Sequence, residues 1–247
     1  MKIVLLPGLD GTGVLFRPFV ERLPADLTPI IASYPPDQQL GYSDLLPIVM
    51  EKLPREEPFV LLGESFSGPL ALMAAATVPG GLNAVVLCAT FVQNPTLLRF
   101  AWLAPIVRPF AFRHYSQFTA VKALLGQYST PELRSLTKAA IGAVQPEVIA
   151  HRVRSVVKVN VEKELVECPV PVLYLRGARD LVVPKRNLRE IQKSLPSIRV
   201  AVMDSPHMVL QTQPAACAQA ISEFLSTLHP RDRRPPLPHL PASRDPR

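Results

Sequence analysis

The chain has 247 residues, of which 48% are hydrophobic, and it carries a formal net charge of +7. This composition supports a sizeable core and excludes a globally disordered chain, and no stretch approaches the roughly 18 apolar residues of a membrane span. We expect one large domain, or one domain with a small insertion. A cytoplasmic protein is expected, because the apolar run at residues 3–6 is too short for a signal peptide.

Six short runs rich in Val, Ile and Leu predict strands, and several are apolar throughout, as is expected of parallel strands buried on both faces. In chain order they are Lys2–Leu6, Pro29–Ser33, Phe59–Leu62, Ala84–Cys88, Val170–Leu175 and Arg199–Met203. Amphipathic patterns between them predict helices at Val14–Arg22, Tyr42–Lys52, Phe66–Val78, Arg186–Ser194 and Val209–Leu228. This alternation predicts an α/β fold with a mostly parallel sheet of about six strands and helices on both faces. Functional residues are then expected in the loops at the carboxyl ends of the strands.

The segment between the fourth and fifth predicted strands breaks this alternation. Thr130-Pro131-Glu132 has the N-cap, first-turn proline and acidic residue of a helix start, and Gln145-Pro146-Glu147 opens a second helix. We therefore predict a helical cap insertion over about residues 95–160, within a domain that spans residues 1–228.

The last residues of the chain have a different composition. Residues 229–247 are rich in proline and hold five arginines and two aspartates, without helical or strand periodicity. The pattern predicts a disordered basic tail. A nucleic-acid or anionic-membrane role for this tail is the alternative. For the protein as a whole, the sequence predicts neither a nucleic-acid partner nor stable membrane insertion.

A serine lies where a predicted strand turns into a helix. The strand Phe59–Leu62 runs into Gly63-Glu64-Ser65-Phe66-Ser67-Gly68. This resembles the nucleophile elbow G-x-S-x-G, in which a sharp turn exposes the serine hydroxyl. The fifth position holds Ser67 instead of glycine, which is a mild departure because serine is also small. Ser65 is the predicted nucleophile; a Gly/Ser-rich turn without chemistry is the alternative.

A serine hydroxyl needs an adjacent base and a carboxylate that orients this base. Of the five histidines, His207 alone follows a predicted core strand. Asp180 lies just past the strand Val170–Leu175 and is the predicted acid. Asp204 is the rival, but it precedes His207 by only three residues, so its side chain cannot easily reach the far ring nitrogen.

The first strand ends in a glycine-rich loop, Pro7-Gly8-Leu9-Asp10-Gly11-Thr12-Gly13. The glycine spacing differs from the dinucleotide fingerprint G-x-G-x-x-G, and no acidic residue ends the next strand. We instead predict an oxyanion loop, since backbone N–H groups stabilise the charge that develops on an ester oxygen. The expected donors are the amides of Leu9, with Asp10 as the alternative, and of Phe66.

These motifs, in this order, resemble the α/β-hydrolase superfamily over most of residues 1–228. The resemblance implies a serine esterase or lipase-like enzyme with the triad Ser65, His207 and Asp180, acting through an acyl-enzyme intermediate. The sequence departs from the fuller family in one respect: the strand that bears the oxyanion loop is the first in the chain, so the two strands that usually begin the fold are expected to be absent. No zinc spacing and no Walker lysine are found, and we expect neither a metal nor a cofactor.

The substrate is expected to be a small-molecule ester with a small to medium apolar acyl group. Phe91, Trp102 and Met208 are the candidate lining residues of its pocket. A thioesterase or acyltransferase on the same triad, and a non-catalytic binding protein of the same fold, remain as alternatives. Aromatic residues interleaved with Arg99, Arg108 and Arg113 also raise the hypothesis of interfacial membrane binding.

Overall fold

The sheet has six strands, each parallel to its neighbours. The computed structural model describes residues 1–77, 79–95, 121 and 124–228. The strands are β1 (Lys2–Leu6), β2 (Thr28–Ile31), β3 (Phe59–Glu64), β4 (Leu82–Cys88), β5 (Val172–Gly177) and β6 (Arg199–Met203). Their order is β2-β1-β3-β4-β5-β6. The predicted parallel sheet of about six strands is confirmed.

Helices cover both faces of this sheet. They are α1 (Arg17–Val20), α2 (Tyr42–Lys52), α3 (Gly68–Ala76), α4 (Pro131–Gly142), α5 (Pro146–Lys158), α6 (Glu162–Val166), α7 (Lys185–Ser194), α8 (Val209–Thr212) and α9 (Pro214–Ser226). Short 3₁₀ helices lie at Val14–Phe16, Ser65–Ser67 and Gly126–Tyr128.

Two predicted helices are divided in the structure. The stretch Val209–Leu228 forms α8 and α9 with a break at Gln213, because Pro214 has no N–H for a continuous helix and suits a first helical position. The stretch Val14–Arg22 begins as a 3₁₀ helix before α1. The helix predicted at Phe66–Val78 likewise starts late, at Gly68, because the elbow occupies its first turn.

Side chains of the central strands alternate between two apolar layers, as the two-residue period of a strand requires. One layer combines Val4, Leu61, Val85 and Tyr174 with residues of α2, α3, α6 and α7. The other combines Ile3, Leu62, Val86 and Leu175 with residues of α1, α8 and α9. The continuous apolar runs of β1, β3 and β4 follow from this double burial.

The helices α4 and α5 lie between β4 and β5, over loops at the carboxyl edge of the sheet. The predicted N-cap of α4 is confirmed, since Thr130 Oγ1 accepts a hydrogen bond from Leu133 N at 3.2 Å. Gln93 and Asn160 pair in an antiparallel bridge, so the chain leaves and rejoins the sheet at one place. The bounds of the insertion, about residues 95–160, stay a prediction.

Several predicted features lie outside the described residues. They are the tail at 229–247, Trp102, and the arginines of the interfacial hypothesis, Arg99, Arg108 and Arg113. None of the helices within the described ranges has the length and apolarity of a membrane span.

The strand order places one crevice at the centre of the sheet. From β1 the chain crosses outward to β2, and then returns to the other side of β1 as β3. The direction of winding therefore reverses between β1 and β3, and ligands of such sheets bind outside the carboxyl ends of strands at this point. The glycine-rich loop follows β1 and Ser65 follows β3, so both flank this crevice.

The close contact between α3 and the loop after β4 gives the first prediction. A Cβ at Gly68 would overlap the Thr90 side chain, whereas a Cβ at Gly142 on α4 would meet no atom within 4 Å. We expect Gly68→Ala to lower the free energy of unfolding by about 1–3 kcal/mol through overpacking. The matched change Gly142→Ala should be neutral or raise it by up to about 1 kcal/mol. Urea unfolding of both variants measures the difference; equal midpoints would contradict the assigned contact.

Candidate active site

Ser65 lies in a sharp turn between β3 and α3. Its φ angle is 50°, in the left-handed region that non-glycine residues rarely adopt. A Cβ at Gly63 would overlap the Ser67 carbonyl, and one at Gly68 would overlap Thr90. The turn therefore requires glycine at positions 63 and 68, while the fifth position of the motif accepts Ser67. Ser65 itself is partly exposed.

A buried hydrogen-bond chain holds the peptide group that follows Ser65. Thr90 Oγ1 donates to the Ser65 carbonyl at 2.5 Å. The Tyr174 hydroxyl donates to the Thr90 carbonyl at 2.7 Å and accepts from the Thr90 amide at 3.0 Å. Since N–H and C=O point in opposite directions in a trans peptide, this arrangement directs the Phe66 amide away from Thr90.

His207 bridges the candidate nucleophile and the candidate acid. Its Nε2 lies 2.8 Å from Ser65 Oγ, and its Nδ1 lies 2.9 Å from Asp180 Oδ2. The other carboxylate oxygen of Asp180 accepts from the amides of Val182 and Val183, each at 2.9 Å. Both His207 and Asp180 are buried. The main-chain donors thus fix the carboxylate, which in turn orients the imidazole ring.

Asp204, the rival acid, has a different partner. Its carboxylate accepts from Arg179 Nε at 2.7 Å and from Nη2 at 3.4 Å, and the pair is exposed. The structure therefore brings Asp180, and not Asp204, to the Nδ1 atom of His207.

The glycine-rich loop after β1 lies against the elbow. A Cβ at Gly8 would be 3.9 Å from the Cβ of Ser65, an ordinary van der Waals contact. Within the loop, the Gly11 amide donates to the Gly8 carbonyl at 3.0 Å. Leu9 is partly buried and packs against Val144, Val148 and Ile149 of the cap. The Phe66 ring is buried and stacks on Tyr42 at a centroid distance of 4.7 Å.

The candidate lining residues are found at two places. Phe91 is buried just past β4, and Met208 is buried directly after His207. Met208 packs with Val121 and Leu125, beneath the cap helix α4. Their contact with a substrate remains a prediction.

Two polar residues at the site were not assigned a role from the sequence. Arg152 of α5 is fully buried and reaches main-chain carbonyls of the loop after β1. The side chain of Ser67 is also buried and donates to the Pro7 carbonyl. A signal for Arg152 exists in the sequence, because it lies three or four residues from the apolar Val148, Ile149 and Val156, on the buried face of its helix.

Glu64, which precedes Ser65, is a second buried carboxyl group near His207. Gln211 of α8 donates to its Oε1 through Nε2 at 2.9 Å. Burial is the main reason that the pKa of Glu64 rises to about 7. The Gln211 Oε1 atom is buried and finds no hydrogen-bond partner among the described residues. A proton on Glu64 would supply a donor beside it.

The arrangement has the parts that acyl transfer requires. A partly exposed hydroxyl contacts an imidazole nitrogen, the other ring nitrogen contacts a fixed carboxylate, and the glycine-rich loop passes close to Ser65 at Gly8. The alpha/beta hydrolase family model matches residues 3–220. The chain belongs to this family.

Two curated proteins that are similar to this chain are named as esterases. A pimeloyl-[acyl-carrier protein] methyl ester esterase of Xanthomonas oryzae pv. oryzae is 27% identical over 201 residues, covering 74% of this chain and 78% of that protein. Its counterpart from Xylella fastidiosa is 24% identical over 251 residues, covering 92% and 95%. This alpha/beta hydrolase therefore has esterases as relatives over most of its length.

Solved structures share the fold. A hydrolase from Oleispira antarctica superposes with a TM-score of 0.78 at 13% identity, covering 92% of this chain and 91% of that one. An enol-lactonase from Burkholderia xenovorans gives a TM-score of 0.75 at 18% identity, covering 91% of each chain. At these identities the likeness concerns the fold alone.

The raised pKa of Glu64 makes stability depend on pH. The carboxyl binds its proton more tightly in the folded protein, since its pKa changes from 4.5 to about 7. Its stabilising contribution is therefore present below about pH 4.5 and is lost as the pH rises through about 7. An amide does not ionise, so Glu64→Gln does not lose this stabilisation as the pH rises. Its free energy of unfolding should therefore increase relative to wild type by up to about 3 kcal/mol between about pH 5 and about pH 8.

Urea unfolding of both proteins across this range measures the change. The amide in Glu64→Gln is nearly isosteric with the carboxyl group and keeps an oxygen that accepts from Gln211. The substitution therefore removes the titrating proton while it keeps this hydrogen bond. A difference in unfolding free energy that stays constant with pH would contradict the assignment of a protonated Glu64.

Proposed function

We propose that this alpha/beta hydrolase is a serine carboxylic-ester hydrolase acting on small to medium apolar acyl groups through an acyl-enzyme intermediate. The observation that carries the proposal is the unbroken chain from Ser65 Oγ through His207 to Asp180, with contacts of 2.8 and 2.9 Å. Such a chain has the geometry of an activated nucleophile.

In the first half of the reaction, Ser65 Oγ attacks the ester carbonyl carbon while His207 Nε2 takes the hydroxyl proton. Asp180 stabilises the imidazolium that forms. The developing oxyanion accepts hydrogen bonds from the amides of Leu9 and Phe66. When the tetrahedral intermediate collapses, the bond to the leaving oxygen breaks, and the alcohol departs with the proton from His207.

The second half repeats this chemistry with water as the nucleophile. His207 takes a proton from water as the water oxygen attacks the acyl carbon. The same two amides bind the new oxyanion, and Ser65 leaves with the proton. The carboxylic acid is released and the enzyme returns to its starting state. No cofactor is required in either half.

The triad can be tested with substitutions of matched size. We expect Ser65→Ala to abolish hydrolysis of p-nitrophenyl butyrate and labelling by a fluorophosphonate probe. Asp180→Asn should lower kcat by about 10⁴-fold, because the imidazole loses its orienting carboxylate. Asp204→Asn is the matched control and should retain near wild-type activity, since its carboxylate pairs with exposed Arg179.

Two outcomes would overturn these assignments. Loss of activity in Asp204→Asn, with activity kept in Asp180→Asn, would transfer the acid role to Asp204. Equal inactivity of wild type and Ser65→Ala, without fluorophosphonate labelling of Ser65, would favour a non-catalytic binding protein.

The relatives favour a small alcohol as the leaving group. The matched curated proteins are named as methyl ester esterases, and we propose methyl esters as the preferred substrates. In a series of butyrate esters followed by pH-stat, kcat/KM should be highest for the methyl ester and fall as the alcohol grows. A higher kcat/KM for the matched thioester would indicate a thioesterase instead, and transfer of the acyl group to an added alcohol would indicate an acyltransferase.

A further inference from the structure

Consecutive carbonyl groups in the loop after β1 are all held by hydrogen bonds. The Pro7 carbonyl accepts from Ser67 Oγ, and the Gly8 carbonyl accepts from the Gly11 amide at 3.0 Å. The Leu9 and Asp10 carbonyls both accept from Nη1 of Arg152, at 2.9 and 2.8 Å. Two of these donors are side chains from elsewhere in the fold: one from the elbow and one from the cap.

Holding a carbonyl also sets the direction of the amide in the same peptide group. The two bonds are antiparallel in a trans peptide, and the group is planar. The Leu9 amide belongs to the peptide held at Gly8. The peptides on either side of it are held by Ser67 and by Arg152. Rotation of the Leu9 amide would therefore require that a buried hydrogen bond be broken.

Arg152 is unusual as a partner for main-chain groups. The side chain is fully buried, and a guanidinium stays protonated in proteins. It also donates from Nη2 to the Pro35 carbonyl at 2.9 Å, and it lies over the Tyr34 ring at 5.6 Å from the centroid. Burying a charge is costly unless it is well solvated by polar groups. Here carbonyls of the loops after β1 and β2 accept from both Nη atoms, while the buried Nε finds no hydrogen-bond partner among the described residues.

Ser67 holds the loop after β1 from the side of the elbow, through its hydrogen bond to the Pro7 carbonyl. It is fully buried, and Tyr34 lies within hydrogen-bonding distance, with 2.7 Å between the hydroxyl oxygens. Because the single Ser67 proton is used for the Pro7 carbonyl, the Tyr34 hydroxyl is the donor to Ser67. A glycine at position 67 would leave the Pro7 carbonyl without this donor.

We infer that Ser67 and Arg152 are positioning residues that hold the loop of residues 7–11 against the elbow, so that its amides point at the oxygen of an ester bound at Ser65. The inference rests on the proposed function. It means that Arg152 of the cap insertion contributes to the oxyanion site through the backbone of the loop after β1. The two residues act through the Leu9 and Asp10 amides, so they matter for whichever of these is the donor.

A positioning role predicts a specific kinetic pattern. Small misplacement of a donor weakens binding of the transition state more than binding of the substrate. We expect Ser67→Ala and Arg152→Met to lower kcat on p-nitrophenyl butyrate by about 10- to 100-fold, which is less than the loss of a whole donor. KM should change by no more than about threefold. Arg152→Lys should recover part of the loss, because an ammonium can still donate to one carbonyl.

A transition-state analogue provides the decisive readout. A trifluoromethyl ketone with a short alkyl chain adds to the nucleophilic serine and carries the same oxyanion. Its inhibition constant should rise across the variants in proportion to the fall in kcat/KM.

Ile221→Ala is the control for a loss of stability that does not involve the site. Ile221 is fully buried on α9, in the apolar layer that contains Ile3, Leu62 and Leu175. This variant should lose stability in urea through a core cavity, while keeping kcat and the inhibition constant. If Ser67→Ala and Arg152→Met behave like Ile221→Ala, the two residues are only structural and the inference fails.

Other outcomes separate the inference from the proposed function. If KM and the inhibition constant rise together while kcat is unchanged, the residues support ground-state binding and the inference is overturned. If Arg152→Met does not fold, Ser67→Ala and Arg152→Lys decide the question by the same criteria. If wild-type protein neither hydrolyses esters nor reacts with fluorophosphonate, it is the proposed function that fails.

Discussion

The tight turn at Ser65 depends on two kinds of neighbour: glycines that leave space for the backbone, and a threonine that donates a hydrogen bond to it. A left-handed conformation costs a non-glycine residue about 1–2 kcal/mol, and this residue keeps it in a densely packed part of the fold. The missing side chains at Gly63 and Gly68 let β3, α3 and the loop after β4 approach closely. Thr90 then uses that closeness to bind the Ser65 carbonyl. The exposed hydroxyl, the direction of the Phe66 amide and the reach of His207 all follow from this turn.

The three buried ionisable side chains at the site differ in the groups that solvate them. The Asp180 carboxylate is solvated by two main-chain amides and the imidazole. The Arg152 guanidinium is solvated by main-chain carbonyls. Glu64 has one amide partner, and burial favours its neutral form. Backbone groups offset the cost of burying Arg152 and Asp180, and where such groups are few, as at Glu64, burial favours the neutral carboxyl.

Sequence patterns were informative where burial is continuous or where a turn demands one residue type. The limits of β1, β6 and α2 match the structure residue for residue. For β1 the apolar run records burial directly, whereas β6 is an edge strand of which only Met203 is buried, so its apolar run reflects strand propensity. The division at Pro214 was missed, since the apolar spacing continues across it. Arg152 was missed because helical periodicity gives the face of a residue but not its partners. Ser67 was noted as a departure from the motif, and only the structure relates it to Pro7, which is 60 residues away.

Gln93 and Asn160 pair where the chain leaves and rejoins the sheet, so the two ends of the cap lie side by side. Recombining caps among members of this family would therefore preserve the sheet and the elbow. It would also remove Arg152, whose hydrogen bonds reach the loop after β1. A donor cap without an equivalent buried cation would leave the Leu9 and Asp10 carbonyls without the Arg152 hydrogen bonds. A grafted cap therefore has to supply a cation at this position that donates to the carbonyls of the loop after β1.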